Sequence, residues 1–314
     1  MTITHALDLP NIRRQPSADI LLETLRLFEQ SSSVKNFGSF ATSSDPGLFR
    51  WLTSVVGSSL EWIDDDDVKD LIWHEASLRM SERCGRTAAP KMSRSIDVPG
   101  LLEAVSKLRG IDPSEQLPIV LEEPPLTSDN LGLKTWGSSL VLASRLAKHG
   151  EEILMDPVLE LGAGTGLSGI VAGRLGYDVT MTDLPEITDN LRINVNKNAL
   201  IGDKITVDVL DWMDPGKFLV KNKERFNCIV ISDPVYQIDQ PPMVANMINL
   251  FLRRDREARV CLQLPLREKF EDVRDLLLNS IKNLGLAIDR QEEQEGMDDF
   301  GTQTYVWTLW KWII

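Results

Sequence analysis

The sequence predicts an α/β fold in which a mostly parallel sheet, covered by helices, follows an N-terminal helical domain. Short and almost wholly apolar segments alternate with amphipathic stretches from about residue 154 onward, which is typical of parallel strands buried on both faces. Two late segments are joined by an acidic stretch instead of a helix, which predicts a last antiparallel strand. The preceding part of the chain shows helical spacing of its apolar residues and no such alternation.

The helical domain is expected to cover residues 1–118. Apolar residues recur at helical spacing in residues 21–28 and again in residues 49–56. Four aspartates at residues 64–67 precede a third apolar stretch, and acids at such a position stabilise the start of a helix. Residues 87–99 carry two prolines among small residues and are expected to form a loop or linker.

Residues 119–314 are expected to form the sheet domain. Its first strands are predicted at Val158–Leu161, Val179–Thr182, Ile205–Val209, Cys228–Ser232 and Val260–Leu264. The antiparallel pair is predicted at Leu286–Arg290 and Tyr305–Trp312. The first strand of this series leads directly into the strongest functional signal of the sequence.

That signal is a glycine-rich turn, E-L-G-A-G-T-G, at residues 160–166. Glycines allow the backbone to approach a ligand closely, and the helix that follows offers unpaired N–H groups. The nicotinamide fingerprint needs glycine where Leu167 stands, and an acid at Glu160 does not suit a pyrophosphate. Glu160 suits the cationic ammonium group of S-adenosylmethionine, although a purely structural turn is an alternative. The residues expected to bind this ligand here are Glu160, Gly162, Ala163, Gly164 and Gly166.

Acidic and aromatic residues follow the next two strands. Asp183 stands where an acid commonly holds ribose hydroxyls in nucleotide-binding α/β folds, and Leu184 could flank an adenine ring. After the third strand, Asp211 could accept a hydrogen bond from the adenine amine and Trp212 could cover the ring. A helix cap is the alternative for a single acid, but recurrence at successive strand ends favours a binding site.

These motifs resemble those of the seven-β-strand, class I S-adenosylmethionine-dependent methyltransferases, and more narrowly the family 16 protein-lysine methyltransferases. The resemblance covers about residues 119–314 and implies a Rossmann-like sheet of seven strands with S-adenosyl-L-methionine as cofactor. It implies that Trp136 contacts the cofactor, and burial of this side chain in the core is the alternative. The segments that carry it are residues 130–136 (N-L-G-L-K-T-W), 159–166, 182–184, 210–212 and 233–236 (D-P-V-Y).

Residues 233–236 resemble the Asp/Glu-x-x-Tyr/Phe signature of the lysine methyltransferases. Val235 stands where enzymes that methylate amino groups on bases or glutamine have a second proline. The resemblance implies that Asp233 and Tyr236 are the catalytic residues. Asp233 and the Pro234 carbonyl would accept hydrogen bonds from the amine, while Tyr236 would form a wall of the lysine channel. A strand-end turn with a core tyrosine is the alternative, and no residue here is an obvious general base.

The helical domain resembles that of the fungal branch of this family, whose substrate is translation elongation factor 2. The similarity rests on residues 49–52 (F-R-W-L) and 81–87 (S-E-R-C-G-R-T). It implies a protein-lysine N-methyltransferase acting on that factor. A non-catalytic, cofactor-binding interaction protein and an amine methyltransferase acting on RNA or a small molecule are the alternatives. We also expect a basic surface of the substrate to contact an acidic loop that carries Glu292, Glu293, Glu295, Asp298 and Asp299.

Composition restricts the possible partners. The chain has 34 basic and 47 acidic side chains and a formal charge of −13, which argues against binding nucleic acid through phosphate contacts. No apolar segment approaches the length of a membrane span. The three cysteines are far apart, which fits reduced thiols and predicts no metal site. We therefore expect a cytoplasmic monomer with a protein partner and with neither nucleic acid nor membrane as a partner.

Overall fold

The computed structural model describes residues 9–28, 33–35, 46–82, 91–112, 117–125, 131–299 and 301–313. These residues divide into two compact units, a helical unit and a sheet unit. The helical unit contains residues 9–28, 33–34, 46–82, 91–92 and 124–125 of the described chain. The sheet unit contains residues 35, 93–112, 117–123, 131–299 and 301–313.

This division differs from the boundary expected at residue 118, because residues 93–118 cluster with the sheet unit where they are described. Leu101 and Val105 are fully buried in the same apolar cluster as Leu142 and Leu146. Removal of this apolar surface from water ties the segment to the sheet unit.

Three helices form the helical unit, and this confirms the prediction of helices in the N-terminal part of the chain. They are α1 (Ala18–Leu27), α2 (Pro46–Val56) and α3 (Asp66–Ser81), with a short strand, β1 (Ser33–Lys35), after α1. The helix α3 begins where the Asp65 side chain accepts hydrogen bonds from the backbone N–H groups of Asp67 and Val68. The aspartate run is therefore the capped start of a helix. The core buries Leu21, Leu25, Leu52, Val55, Ile72 and Ala76.

The remaining elements alternate strands and helices. In chain order they are β2 (Met92–Ile96), α4 (Leu101–Arg109), β3 (Ile119–Glu123), α5 (Gly137–Ile153), β4 (Val158–Leu161), α6 (Leu167–Arg174), β5 (Asp178–Asp183), α7 (Pro185–Asn198), β6 (Lys204–Val209), α8 (Gly216–Lys221), β7 (Cys228–Ser232), α9 (Gln240–Phe251), β8 (Arg259–Pro265), α10 (Glu271–Asn283), β9 (Leu286–Asp298) and β10 (Gly301–Trp312). None of the described helices is long and apolar enough to cross a membrane.

Seven strands form the main sheet, in the order β6-β5-β4-β7-β8-β10-β9. The strands β4 to β8 pair in parallel, whereas β10 runs antiparallel to both β8 and β9. This confirms the predicted mostly parallel sheet with a last antiparallel strand. Helices cover both faces, because one apolar cluster joins the sheet to α5 and α6 and another joins it to α9 and α10. Burial on both faces explains why every residue of β4 is buried.

The expected linker at residues 87–99 is partly wrong, and its first four residues lie outside the described chain. Met92–Ile96 forms the strand β2, which pairs with β3. Arg94 at its centre is fully buried and forms ion pairs with Glu123 at 2.6 Å and with Asp299 at 2.8 Å. Lys134 also pairs with Asp299, at 3.1 Å. A charge in a strand can be buried when it is neutralised by carboxylates that are far away in the sequence but adjacent in space. The local sequence does not reveal such partners.

The expected acidic loop is also corrected, because β9 continues through Asp298 and pairs with β10 along its length. Glu292, Glu293 and Glu295 lie exposed on this edge strand, where charged side chains discourage pairing with another chain. Asp298 is buried and the Asp299 side chain is fully buried, so neither is available to a substrate surface. Glu292 forms an ion pair with Arg145 at 2.6 Å.

Replacing Arg94 with methionine should destabilise the sheet unit by about 3–5 kcal/mol, because Glu123 and Asp299 would lose a buried counter-charge. The measurement is the free energy of unfolding from urea denaturation. Arg192 is a matched control, since it pairs with Asp189 at 3.0 Å on an exposed helix surface. Arg192→Met should cost less than about 1 kcal/mol. Equal stability of the two variants would show that the buried network contributes nothing specific.

Candidate active site

A cavity of about 520 Å³ opens at the carboxyl ends of the parallel strands. This size suits a small-molecule ligand, and the position is where open α/β sheets bind ligands. The cavity is lined by all the predicted site residues except Gly166, namely Trp136, Glu160, Gly162, Ala163, Gly164, Asp183, Leu184, Asp211, Trp212, Asp233 and Tyr236. Predicted residues from five separate stretches of the chain therefore meet in one place.

The glycine turn between β4 and α6 forms the floor of this cavity. Gly162 and Gly164 have φ angles of 65° and 58°, a left-handed conformation that glycine adopts without steric cost. A Cβ atom on Gly164 would lie 2.9 Å from the carbonyl oxygen of Gly132, which also lines the cavity. The backbone of Ala163 is held by a hydrogen bond of 3.0 Å from its N–H to the Thr182 carbonyl. The turn thus leaves no room for a side chain at Gly164.

Gly166 lies behind the cavity wall. It precedes α6 with a φ of 97°, and a Cβ atom there would lie 2.6 Å from Leu191 Cδ1 and 2.9 Å from Met181 Cε. Both neighbours are fully buried in the apolar core. Core packing therefore requires glycine at position 166, independently of any ligand.

Glu160 is the next-to-last residue of β4, close to the glycine turn, and is only 3% exposed. Its Oε2 atom has no hydrogen-bond partner among the described residues, and a side chain on Gly169 would collide with it. Burial raises the pKa of the Glu160 carboxyl to about 8, and the negative charge of Asp183 contributes to the rise. This oxygen lies against Gly169 in α6, whose backbone N–H opposes the rise, while Glu160 as a residue lines the cavity, where an acid suits a cationic or N–H-bearing ligand group.

Asp183 ends β5 on the other side of the turn. Its Oδ2 accepts a hydrogen bond from the Gly164 N–H at 2.7 Å, and its Oδ1 accepts one from the Leu184 N–H at 2.8 Å. Burial raises the pKa of the Asp183 carboxyl to about 6, while the two N–H groups oppose the rise. Each oxygen retains a lone pair, so the carboxylate can hold the glycine turn and also accept bonds from ligand hydroxyls.

Two aromatic side chains line the cavity at different places. The Trp212 ring lies against Gly162, since a Cβ atom there would be 3.3 Å from its Cζ2. Asp211, next to it, accepts a hydrogen bond from the Met213 N–H at 2.8 Å. The Trp136 side chain is half-buried and donates a hydrogen bond of 3.2 Å to the Leu131 carbonyl. The alternative that Trp136 is a fully buried core residue does not hold.

Asp233 follows β7 and has a φ of 50°, an uncommon conformation for a residue with a side chain. Its Oδ2 accepts hydrogen bonds from Arg267 Nη2 at 3.0 Å and from Ser138 Oγ at 3.5 Å. Burial raises the pKa of the Asp233 carboxyl, although the positive charge and hydrogen bond of Arg267 oppose the rise. Strained backbone at a strand end is a frequent property of functional sites.

Tyr236 is 44% exposed and lines the cavity, so the alternative of a core tyrosine does not hold. Its position depends on Gln240 at the start of α9. Gln240 Oε1 accepts hydrogen bonds from the N–H groups of Tyr236 at 2.7 Å and Gln237 at 3.0 Å. The turn after β7 is therefore held by one side chain of the following helix.

The polar residues of the cavity that sequence reasoning missed include Ser232, Gln240 and Arg267. Ser232 Oγ is buried and has no hydrogen-bond partner among the described residues. Arg267 follows β8 at the same edge of the sheet as Asp233, and the available signal was a charged residue three positions after the predicted strand Val260–Leu264. No group of three His, Cys, Asp or Glu residues in the described ranges is arranged to hold a metal ion.

The fold and the cavity together define an α/β protein that can hold a nucleoside-like cofactor against a glycine turn. Asp233, directly after β7, lines the same cavity and can accept hydrogen bonds from a second ligand. The chain belongs to the lysine methyltransferase family, because the model of that family matches residues 115–273. This confirms the resemblance inferred from the motifs, and members of the family depend on S-adenosylmethionine.

Three relatives illustrate the similarity. The chain is 36% identical over 268 residues to protein-lysine N-methyltransferase EFM2 of Saccharomyces cerevisiae, covering 78% of this chain and 60% of that protein. It is 30% identical over 320 residues to protein-lysine N-methyltransferase rrg1 of Schizosaccharomyces pombe, covering 97% of each. EEF1A lysine methyltransferase 3 of Xenopus tropicalis is 32% identical over 118 residues, 37% of this chain and 51% of that protein. The chain thus spans about 60% of EFM2 and nearly all of rrg1.

Replacing Gly164 with alanine should weaken binding of S-adenosylmethionine by roughly tenfold or more, because the new Cβ atom would displace the Gly132 backbone from the cavity wall. Gly166→Ala should instead lower the free energy of unfolding by about 1–3 kcal/mol through overpacking. Gly202 is the control, since its φ is 91° but nothing lies within 4 Å of a Cβ atom there. Calorimetric titration and thermal melting measure the two effects. Equal affinity of all three variants would contradict this account.

Binding of S-adenosylmethionine near pH 7 should release close to one proton from Glu160. The pKa of this carboxyl is about 8 without ligand, so it is mostly protonated at pH 7, and a cationic ligand favours its ionised form. Affinity should therefore rise with pH up to about pH 8. The measurement is calorimetric titration in buffers that differ in ionisation enthalpy. Glu160→Gln should abolish the proton release, and an unchanged release in that variant would exclude Glu160 as its source.

Proposed function

We propose that the chain is a protein-lysine N-methyltransferase. The observation that carries this proposal is the placement of Asp233 and Tyr236 in the same cavity as the glycine turn and Asp183. One cavity can thus receive a cofactor at one end and a lysine side chain at the other. The shared family membership supports the same activity.

The described residues fit the cofactor. The Glu160 carboxyl lines the cavity and suits the ammonium group, the turn at Gly162 and Gly164 admits the cofactor closely, and Asp183 suits its ribose hydroxyls. Trp212 would cover the adenine ring, with Asp211 accepting a bond from the exocyclic amine. When bound, S-adenosylmethionine would supply a methyl group on a cationic sulfur for transfer to the lysine nitrogen, with S-adenosylhomocysteine as the leaving group.

The residues after β7 would orient the lysine. The Asp233 carboxylate and the Pro234 carbonyl accept hydrogen bonds from the amine, and the half-exposed ring of Tyr236 forms a wall of the channel. Such positioning can account for a large part of the rate, because it replaces a bimolecular encounter with a fixed geometry. The lysine ammonium would lose its proton to water before or during binding, since none of the described residues directly after β7 is an obvious general base.

The substrate in this proposal is translation elongation factor 2. The supporting observations are the similarity of residues 49–52 to the fungal branch and a relative named for another elongation factor, EEF1A. Residues 83–87, which carry the rest of that similarity, lie outside the described residues. An elongation factor is a cytosolic protein, which agrees with the proposal of a cytoplasmic monomer that binds neither nucleic acid nor membranes.

Radiolabelled methyl transfer into an extract of cells that lack this chain tests the proposal. The intact protein should label one band of the size of elongation factor 2, and the label should map to lysine. Asp233→Ala should reduce the label more than about 100-fold, because the amine loses its main acceptor. Tyr236→Phe should stay within about fivefold of the intact protein, because the ring face forms the wall.

Asp189→Ala is the matched control, since this aspartate pairs with an arginine on an exposed surface. It should label the extract as the intact protein does. Label in RNA or in small molecules would show that the substrate is not a protein. Cofactor binding without any label would favour a non-catalytic interaction protein.

A further inference from the structure

Arg267 occupies a defined place beside the acid that would meet the lysine. Its Nη2 lies 3.0 Å from Asp233 Oδ2, and its guanidinium carbon lies 5.2 Å from the centre of the Trp136 ring. The side chain of Asp233 is 8% exposed and that of Arg267 is 25% exposed. The pair therefore lies mostly out of water, where charges interact more strongly than on the surface.

The backbone around Arg267 is fixed by the neighbouring strand. The Leu266 N–H donates to the Thr304 carbonyl at 2.8 Å, and Gln303 Nε2 donates to the Leu266 carbonyl at 2.8 Å. Trp136 presents its ring to the guanidinium, which adds a cation–π contact. These contacts hold the cation in place before any ligand arrives.

This arrangement bears on the protonation of the substrate. A lysine amine with an ordinary pKa of about 10.4 is almost wholly protonated at pH 7, yet methyl transfer needs the neutral nitrogen lone pair. A buried carboxylate alone would bind the ammonium form as its counter-ion and keep the proton in place. With Arg267 already paired to Oδ2, Asp233 needs no second cation.

We propose that Arg267 is a positioning residue that neutralises Asp233, so that the site accepts the target lysine as a neutral amine. This inference rests on the proposed methyltransferase function. Among the described residues both bonds to the Asp233 side chain go to Oδ2, and Oδ1 makes none. Oδ1 can then accept a hydrogen bond from an uncharged N–H while the guanidinium balances the charge.

Other charged and titratable groups surround the pair. Lys134 adds positive charge near Asp233, although its amine pairs with Asp299 at 3.1 Å. The Tyr305 hydroxyl feels the charges of Asp298, Asp233 and Arg267, and burial raises its pKa, so it stays neutral. Arg267 has the largest charge effect on Asp233. The cavity acids outside the pair are Glu160, Asp183, Glu186, Asp211 and Asp239.

The test is the pH dependence of kcat for the full-length protein at saturating S-adenosylmethionine, with unmethylated elongation factor 2 and with the deficient extract as substrates. In the intact protein the pKa that governs kcat should lie below the ordinary value of about 10.4 for lysine. Arg267→Gln should displace the profile by about one pH unit to higher pH, so that kcat falls about tenfold on its rising limb and recovers at higher pH.

Arg267→Lys retains a cation and should restore most of the original position of the profile. Arg192→Gln removes an arginine of similar pairing distance from an exposed surface and should leave the profile unchanged. Affinity for S-adenosylmethionine, measured by calorimetry, should stay within about twofold in all three variants. The reason is that Arg267 acts through Asp233 on the lysine amine and not on the cofactor.

Two results would overturn the proposal for Arg267 alone. One is a kcat of the intact protein that is governed by a pKa at or above 10.4, and this result can be obtained without any variant. The other is an Arg267→Gln profile that is lowered by the same factor at every pH, which would indicate a merely structural role. An intact protein that labels neither substrate would overturn the proposed function, and the role of Arg267 would fall with it.

Discussion

The parallel pairing of β4 with β5 and β7 is the constraint on which the rest of the site depends. The strands β4 and β7 are buried along almost all of their length, and the acids of the site stand near, at or just beyond the carboxyl ends of β4, β5 and β7. Parallel strands also end at one common edge of the sheet. One cavity therefore brings together Glu160 near the end of β4, Asp183 at the end of β5 and Asp233 just after β7.

Withdrawal from water gives these three acids their chemical character. Burial raises the pKa of each carboxyl, because the charged form loses hydration. The structure compensates each acid differently. Asp183 receives two backbone N–H groups, Asp233 receives the Arg267 guanidinium, and Glu160 is left with an oxygen that has no partner among the described residues. The first two acids are thus balanced by the protein, whereas Glu160 is compensated least and has its pKa raised to about 8.

A second group of buried charges adjoins the cavity, which Lys134 also lines. Arg94 on β2 joins Glu123 on β3 to Asp299 at the end of the β9–β10 hairpin, and Asp299 also pairs with Lys134. The Lys134 Nζ atom lies 4.4 Å from the centre of the Trp136 ring, and the same ring contacts the Arg267 guanidinium. The acids of the hairpin thus lie in two environments. Those on the edge strand β9 are exposed, whereas the Asp299 side chain is buried.

The sequence by itself determined the parallel sheet, the glycine turn and the acids at the strand ends, because each of these depends on residues adjacent in the chain. A strand followed by glycines, or by an aspartate, is a local pattern that chain geometry converts into a site at the sheet edge. Only the tertiary structure decided the strand β2, the burial of Asp299 and the pairing of Asp233. Arg94 meets Asp299 across 205 residues, and Arg267 meets Asp233 across 34. The cost of burying such charges depends on partners that no local pattern specifies.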